Sequence, residues 1–232
     1  MRQPSPAEIV DVWRIDLDAS AELRDRLWPI LAEDERDRAR RFHLARDAHR
    51  FVVAHGALRT IVAACLGCAP ADVAFVTGSH GKPEVAGGDL RFNLSHSGAL
   101  ALCAVSAGAR VGVDVECLRG DVATDEVARA FFSVAENAAL SALPATLRSA
   151  AFFACWTRKE AYVKARGDGV SARLESFDVL VPGTAAVTLR TRPDGAEAAR
   201  WRVVDLDAGA GYVGALAVEA PEARLAWRAW RP

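Results

Sequence analysis

Two long runs, one in each half, constrain the fold of this 232-residue chain more than any other feature. The first, 47-DAHRFVVAHGALRTIVAACLG-67, opens on Asp47 as a candidate helix cap and closes on Gly67 as a stop. The second, 149-SAAFFACWTRKEAYVKARG-167, also ends on glycine. Each carries an apolar stripe at helical spacing that must be buried against something. An alternating, strand-like run and a shorter helical run come before each. These are 10-VDVWRIDLD-18 and 31-LAEDERDRARRF-42 in the first half, and 111-VGVDVE-116 and 124-TDEVARAFFS-133 in the second. The run 31–42 has its acids early and its arginines late, as the helix dipole favours. Further strand-like runs follow. The first half has 73-VAFVTG-78, a turn at 81-GKP-83 and 100-LALCAVS-106; the second has 176-SFDVLV-181, 201-WRVVDLD-207 and 212-YVGALAVEA-220. The order of elements repeats although the letters do not. The chain therefore reads as α+β, in two similar halves, 1–108 and 109–232, with a seam at Gly108 to Arg110.

Composition narrows the function classes. The chain is 51% apolar and 25% charged, with a net charge of −1, so nothing global points to nucleic acid or a membrane surface as partner. The start, MRQPSPAEIVDV, has no basic segment followed by an apolar run, and no apolar stretch is long enough for a bilayer. A cytoplasmic location is the expectation. Cys65, Cys68, Cys103, Cys117 and Cys155 are scattered, and Cys65-x-x-Cys68 lacks a second pair for zinc. They read as buried thiols of a cytosolic protein.

Several residues could carry chemistry. Asp114 and Glu116, two apart in a strand, project to one side. Carboxylates so close repel unless a cation lies between them or one is protonated, and hard oxygen donors suit Mg²⁺ or Mn²⁺. Asp16 and Asp18 have the same spacing, and spacing alone does not choose between the pairs or against a solvated face. On the second long helix Trp156, Glu160 and Lys164 are four apart and share a face, with Lys159 beside them. These charges continue a strongly apolar stripe, a costly arrangement without a ligand or ion to satisfy them. Arg50 is either a solvated first-turn residue or a phosphate clamp, and Lys82 in its turn is equally open. Ser95 and His96 are neighbours in an extended segment, so they face opposite sides and make a poor nucleophile–base couple. Hydroxyls, an imidazole and Gly98 at a turn suit the holding of phosphate oxygens.

Taken together, 93-NLSHSG-98, 112-GVDVE-116, 131-FFSVAE-136 and 156-WTRKEAYVKARGDG-169 resemble the ordered motifs of phosphopantetheinyl transferases of the large, single-chain, surfactin-synthetase-activating type. The segment 40-RRFHLARDAHR-50 and the turn 81-GKP-83 resemble further elements of that family, and the resemblance spans nearly the whole chain. It implies two similar α+β subdomains related by a pseudo-twofold axis, with coenzyme A in the cleft between them. It implies transfer of 4′-phosphopantetheine from coenzyme A to a serine of an acyl or peptidyl carrier protein, with release of adenosine 3′,5′-bisphosphate. By matched position Asp114, Glu116 and Glu160 hold Mg²⁺, with Mn²⁺ as a substitute. Arg38, Arg50, Gly81, Lys82, Pro83, Ser95 and His96 contact the nucleotide and its phosphates, and Lys164 the phosphate transferred. Where the family often carries a lysine, this chain has Glu35, which leaves Arg38, Arg50 and His96 for the 3′-phosphate. The carrier serine needs a base as it attacks, Glu160 or a metal-bound hydroxide, with Glu136 a weaker candidate.

The implied partners are carrier domains of polyketide, non-ribosomal peptide or fatty-acid synthases. The stretch 117–132, with Arg119 and Arg129, is a candidate docking patch, and a monomer is expected. The competing readings are a Mg²⁺-dependent hydrolase of the coenzyme A pyrophosphate and a non-catalytic module that binds coenzyme A or a carrier.

Overall fold

The computed structural model describes residues 8–78, 81–119, 124–169, 172–179, 189–191 and 195–231. Two main sheets form. In the first, β1 (Ile9–Asp16) lies between β5 (Leu100–Ser106) and β11 (Arg224–Ala229), with β4 (Arg91–Ser97) beyond β5. The second runs β6 (Val111–Cys117), β10 (Tyr212–Val218), β9 (Arg202–Leu206). All these pairings are antiparallel except that of β1 with β11. Two short ribbons pair β2 (Phe75–Thr77) with β3 (Pro83–Val85), and β7 (Phe177–Asp178) with β8 (Arg190–Thr191).

Alternation along the strands builds the layers. Val10 and Val12 of β1, Leu100 and Leu102 of β5, Val113 and Val115 of β6 and Leu216 of β10 meet in one buried cluster between the sheets. The intervening residues point outward. Ala101 and Cys103 meet Val53, Ala57 and Ile61 of α3 (Ala45–Leu66), while Ala215 and Ala217 share a cluster with Ala161 and Val163 of α6 (Ala145–Arg166). The result is four layers, helix–sheet–sheet–helix, with the two long helices outside. Each fully buried Val or Leu contributes roughly 1.5–3 kcal/mol, so these contacts outweigh local propensity. One glycine sets the spacing of the second half. A Cβ on Gly112 would collide with the backbone of Ala161 and Ala165, so only glycine lets α6 lie directly on β6.

Both long helices form, and Gly67 ends α3 with φ +69° and Gly167 ends α6 with φ +79°. Asp47 is not the cap: α3 begins two residues earlier, after Leu44, and Asp47 sits in its first turn. The run 31–42 contains α2 (Glu33–Arg40). The expected helix 124–133 stops as α4 (Thr124–Phe131), because Ser133 caps a new helix, α5 (Val134–Ala142), through a reciprocal box with Glu136. No sequence expectation covers α1 (Ala21–Leu27), which Ser20 caps, or α5, β3, β8 and β11, whereas the extended segment expected around Ser95 and His96 is β4. Of the run 176–181, Phe177 and Asp178 form β7, and residues 180 and 181 lie outside the described residues. The seam near residue 108 falls between β5 and β6, which belong to different sheets, but β11 crosses back to pair with β1.

The cysteines divide differently from expectation. Cys103 and Cys155 are buried and Cys117 is half-buried, but Cys65 and Cys68 are exposed. Residues 64–69, the end of α3 and its cap, are all exposed, so the thiols there lie outside the core. Among the described residues no helix is long and apolar enough to cross a membrane.

Candidate functional site

Strand β6 pairs with β10 along one edge only; its other edge faces β4 of the first sheet. Side chains there replace a backbone ladder. Asn93 Oδ1 accepts the Val113 N–H (2.8 Å), and Ser95 Oγ donates to Asp114 Oδ1 (2.8 Å). Ser97 Oγ donates to Glu116 Oε2 (2.8 Å) and accepts the Cys117 N–H (3.1 Å). Alternation puts Asn93, Ser95 and Ser97 on one face of β4, while Phe92 and Leu94 join the α3 core on the other.

Helix α6 closes over these carboxylates. Lys164 Nζ lies 2.5 Å from Asp114 Oδ1 and 3.1 Å from Ser95 Oγ. Asp114 is 3% exposed, and its second oxygen, Oδ2, is buried without a hydrogen-bond partner. Burial raises the pKa of Asp114, against the pull of the Lys164 cation and the Ser95 hydroxyl. Burial likewise raises Glu116, opposed by the Ser97 hydroxyl and assisted by the charge of Asp114. Glu160 is raised first by burial; the Lys164 cation opposes, and the charges of Asp114 and Glu116 add to the rise. Three carboxylates thus share one electrostatic site with a single ammonium among them.

Among the described residues no three His, Cys, Asp or Glu groups are already gathered as a metal-binding cluster. The Lys164 ammonium occupies Asp114 Oδ1, and Ser97 holds one oxygen of Glu116. Even so, the donor set fits a hard divalent cation: all ligands are oxygens, they repel one another, and Asp114 Oδ2 is buried and unsatisfied.

A cleft of about 510 Å³ opens beside them. Gly81, Lys82, Pro83 and Asn93 line it from one side, Glu160 and Lys164 from α6, and Phe131, Trp156 and Leu174 form an apolar wall. Phe131 and Trp156 meet edge to face at 6.0 Å. Lys82 is not free in solvent. Its ammonium donates to Lys164 O (2.7 Å) and Val111 O (3.0 Å), fastening the 81–83 turn to the end of α6 and the start of β6. Burial brings its pKa down to about 8.

The remaining candidates lie toward the first half. Arg50 grips Asp18 with two donors, Nε at 2.7 Å and Nη2 at 3.0 Å, and this holds the Asp18 pKa down. The Asp16–Asp18 pair is therefore accounted for without a metal: Asp18 partners Arg50, and Asp16 accepts the Asp18 N–H. Arg38 lies over the Phe51 ring at 5.2 Å. His96 is exposed, and its pKa is lowered by partial desolvation and then by the nearby charges of His55, Lys164 and Arg38. Ser95 is buried on the opposite face of β4 and bonds to Asp114, so the two neighbours do not form a couple.

Glu35, expected to matter by standing where a lysine often does, has a structural role. It accepts the Ala32 N–H and the Arg59 Nε (2.5 Å), lies 2.8 Å from His55 Nδ1, and so ties α2 to α3. Glu136, the weaker candidate base, is fully buried, away from the cleft lining. It pairs with the fully buried Lys159 at 2.8 Å and accepts the backbone N–H groups of Ser133 and Val179. Lys159 spends its other donors on Leu174 O and Phe177 O. The sequence signal was available, since Lys159 interrupts an apolar stripe and must find a partner. Its partner lay in a different motif, 23 residues upstream.

The fold and site together define an α+β protein with two main sheets, whose carboxylates and a lysine meet where β4, β6 and α6 come together. A family model described as the 4′-phosphopantetheinyl transferase superfamily matches residues 110–217, and one described as 4′-phosphopantetheinyl transferase, N-terminal, matches residues 20–108. The chain is 38% identical over 213 residues to the 4′-phosphopantetheinyl transferase HetI of Nostoc sp. (strain PCC 7120), covering 90% of this chain and 87% of that protein. It is 34% identical over 194 residues to a 4′-phosphopantetheinyl transferase of Bacillus subtilis, covering 83% and 85%. Against the 4′-phosphopantetheinyl transferase Sfp of Bacillus subtilis (strain 168) the identity is 29% over 196 residues, covering 84% and 86%. The chain belongs to the 4′-phosphopantetheinyl transferase superfamily.

Proposed function

We propose that this chain transfers 4′-phosphopantetheine from coenzyme A to a serine of a carrier protein, releasing adenosine 3′,5′-bisphosphate. The observation that carries the reading is the joining of Asp114, Glu116, Glu160 and Lys164, drawn from two motifs 40 residues or more apart, beside one cleft. Membership of the superfamily supports it. Acyl carrier proteins are among its acceptors, together with carrier domains of polyketide and non-ribosomal peptide synthases.

The chemistry is an in-line displacement. The carrier serine oxygen bonds to the phosphorus next to pantetheine, the pyrophosphate P–O bond breaks, and the adenosine bisphosphate leaves with the electron pair. Such reactions need positioning and charge neutralisation more than covalent help from the protein. Asp114, Glu116 and Glu160 would hold Mg²⁺ or Mn²⁺, which when bound neutralises pyrophosphate charge. Lys164 contributes a cation at the transferred phosphate, exchanging its bond to Asp114 for phosphate oxygens. Glu160, which lines the cleft, would take the serine proton. Arg38, Arg50 and His96 hold the 3′-phosphate, and Gly81, Lys82, Pro83 and Ser95 line the path of the rest of the nucleotide. The apolar wall of Phe131, Trp156 and Leu174 takes the uncharged pantetheine arm.

The halves 1–108 and 109–232 act as two subdomains about a pseudo-twofold axis, with strand β11 exchanged into the first. Both walls of the cleft come from one chain, so the active form is a monomer in the cytoplasm. Exposed Leu118 and Phe131, with Arg119 and Arg129 near them, form the carrier-docking patch; residues 120–123 of that stretch lie outside the described residues. Chromatography of coenzyme A incubated with Mg²⁺, with and without an apo carrier, tests the reading. Adenosine 3′,5′-bisphosphate formed only with the carrier is the expected result. Coenzyme A cleaved equally without it would instead establish the hydrolase, and no cleavage at all a binding module.

A further inference from the structure

Glu116 is half-buried at the cleft, and of its two carboxylate oxygens only Oε2 has a partner among the described residues. That partner, Ser97 Oγ, donates at 2.8 Å and accepts the Cys117 N–H at 3.1 Å. The second bond governs the first. A hydroxyl has one hydrogen to give, and a lone pair committed to the β6 backbone restricts where that hydrogen can point. A freely rotating serine would exchange Glu116 for water; this one is aimed at it.

The turn that follows removes most of the remaining freedom. Gly98 has φ +58°, and a Cβ there would lie 2.9 Å from Tyr212 Oη. The next residue, Ala99, donates its N–H to the same Tyr212 oxygen at 3.1 Å. Tyr212 stands opposite Cys117 in the β6–β10 register, so the end of β4 is fastened to two strands of the other sheet just where Glu116 sits.

We infer that Ser97 is a positioning residue for Glu116. It anchors Oε2 so that Oε1 is the oxygen presented to the cation and the phosphates of the proposed transfer, and the inference rests on that reading. Ser95 anchors Asp114 Oδ1 in the same manner and leaves Oδ2 unpartnered. In each carboxylate one oxygen is therefore held by a β4 hydroxyl and the other is left for a ligand.

The test is Mn²⁺ binding followed by the electron paramagnetic resonance signal of the free ion, with coenzyme A present and no carrier. The wild type, Ser97→Ala and Ser97→Thr are compared, and thermal melting checks that each variant is folded. The expected result is uptake by the wild type, affinity about tenfold weaker in Ser97→Ala, and recovery in Ser97→Thr, whose hydroxyl can make both bonds. Should Ser97→Ala not fold, Ser97→Cys, a weak donor of similar size, is read in its place. Wild-type affinity in the Ala variant, or a folded Thr variant as weak as Ala, overturns the role of Ser97 alone. A wild type that takes up no Mn²⁺ overturns the metal reading as well, so the two failures are distinct.

Discussion

Replacing Lys159 by methionine is the most demanding test of how the cleft wall is held. Its ammonium is fully buried and has three partners: Glu136 Oε2 at 2.8 Å, Leu174 O at 2.7 Å and Phe177 O at 2.7 Å. Methionine keeps most of the volume and removes all three. Glu136 keeps the N–H groups of Ser133 and Val179 but becomes a buried charge with no cation. Breaking one side of a buried pair costs about 3–5 kcal/mol, more than the pair contributes over a well-packed apolar replacement. For a domain of this size that corresponds to a fall in melting temperature of roughly 10 °C. The double variant Lys159→Met/Glu136→Leu should regain much of the loss, because no charge is left stranded. Urea unfolding of the two single variants and the double variant measures the whole cycle. Leu174 lines the cleft and is tied to Lys159 through its carbonyl, so the single variant should also raise the KM for coenzyme A. A loss below about 1 kcal/mol in Lys159→Met, the level of an exposed pair, would refute the argument.

Other predictions follow from the site and its supports. Asp114→Ala and Glu160→Ala should each lower kcat by about 100-fold or more while retaining the fold, read by carrier modification together with circular dichroism. Near-normal turnover in both at low Mg²⁺ would contradict the assigned roles. Lys82 predicts a pH dependence of stability: its pKa falls from 10.5 to about 8 on folding, so between those values the unfolded chain holds a proton that the folded chain has lost. The Lys82 contribution to stability should therefore rise with pH across that window, by roughly 3 kcal/mol at most, and add nothing to the slope below it. Lys82→Met should remove that contribution, read as the difference from the wild type in urea melts at pH 7.5 and pH 10.

Much of the site was legible because local alternation and helical spacing survive in the fold. The two-residue step from Asp114 to Glu116 puts both on the face under α6, and the four-residue step from Glu160 to Lys164 aims both at that strand. The two long helices were legible from their stripes and terminal glycines. What escaped depended on pairing across distance. β11 has no clean alternation and exists because β1 offers it a parallel edge. The polar period of Asn93, Ser95 and Ser97 was visible as a motif, but its use as a substitute for a strand ladder requires knowing that β6 faces β4. Glu136 and Lys159 each looked like a chemical group by type. Only burial shows that they neutralise one another, and only the position of Asp18 shows that Arg50 pairs with it.

Intact-protein mass spectrometry of an apo carrier domain tests the transfer most directly. The carrier is incubated with this protein and coenzyme A, with Mg²⁺ in one sample and EDTA in the other. The expected result is a gain of one phosphopantetheine arm with Mg²⁺ and no gain with EDTA. An unmodified carrier across polyketide, non-ribosomal peptide and fatty-acid types, or equal modification in EDTA, would contradict it.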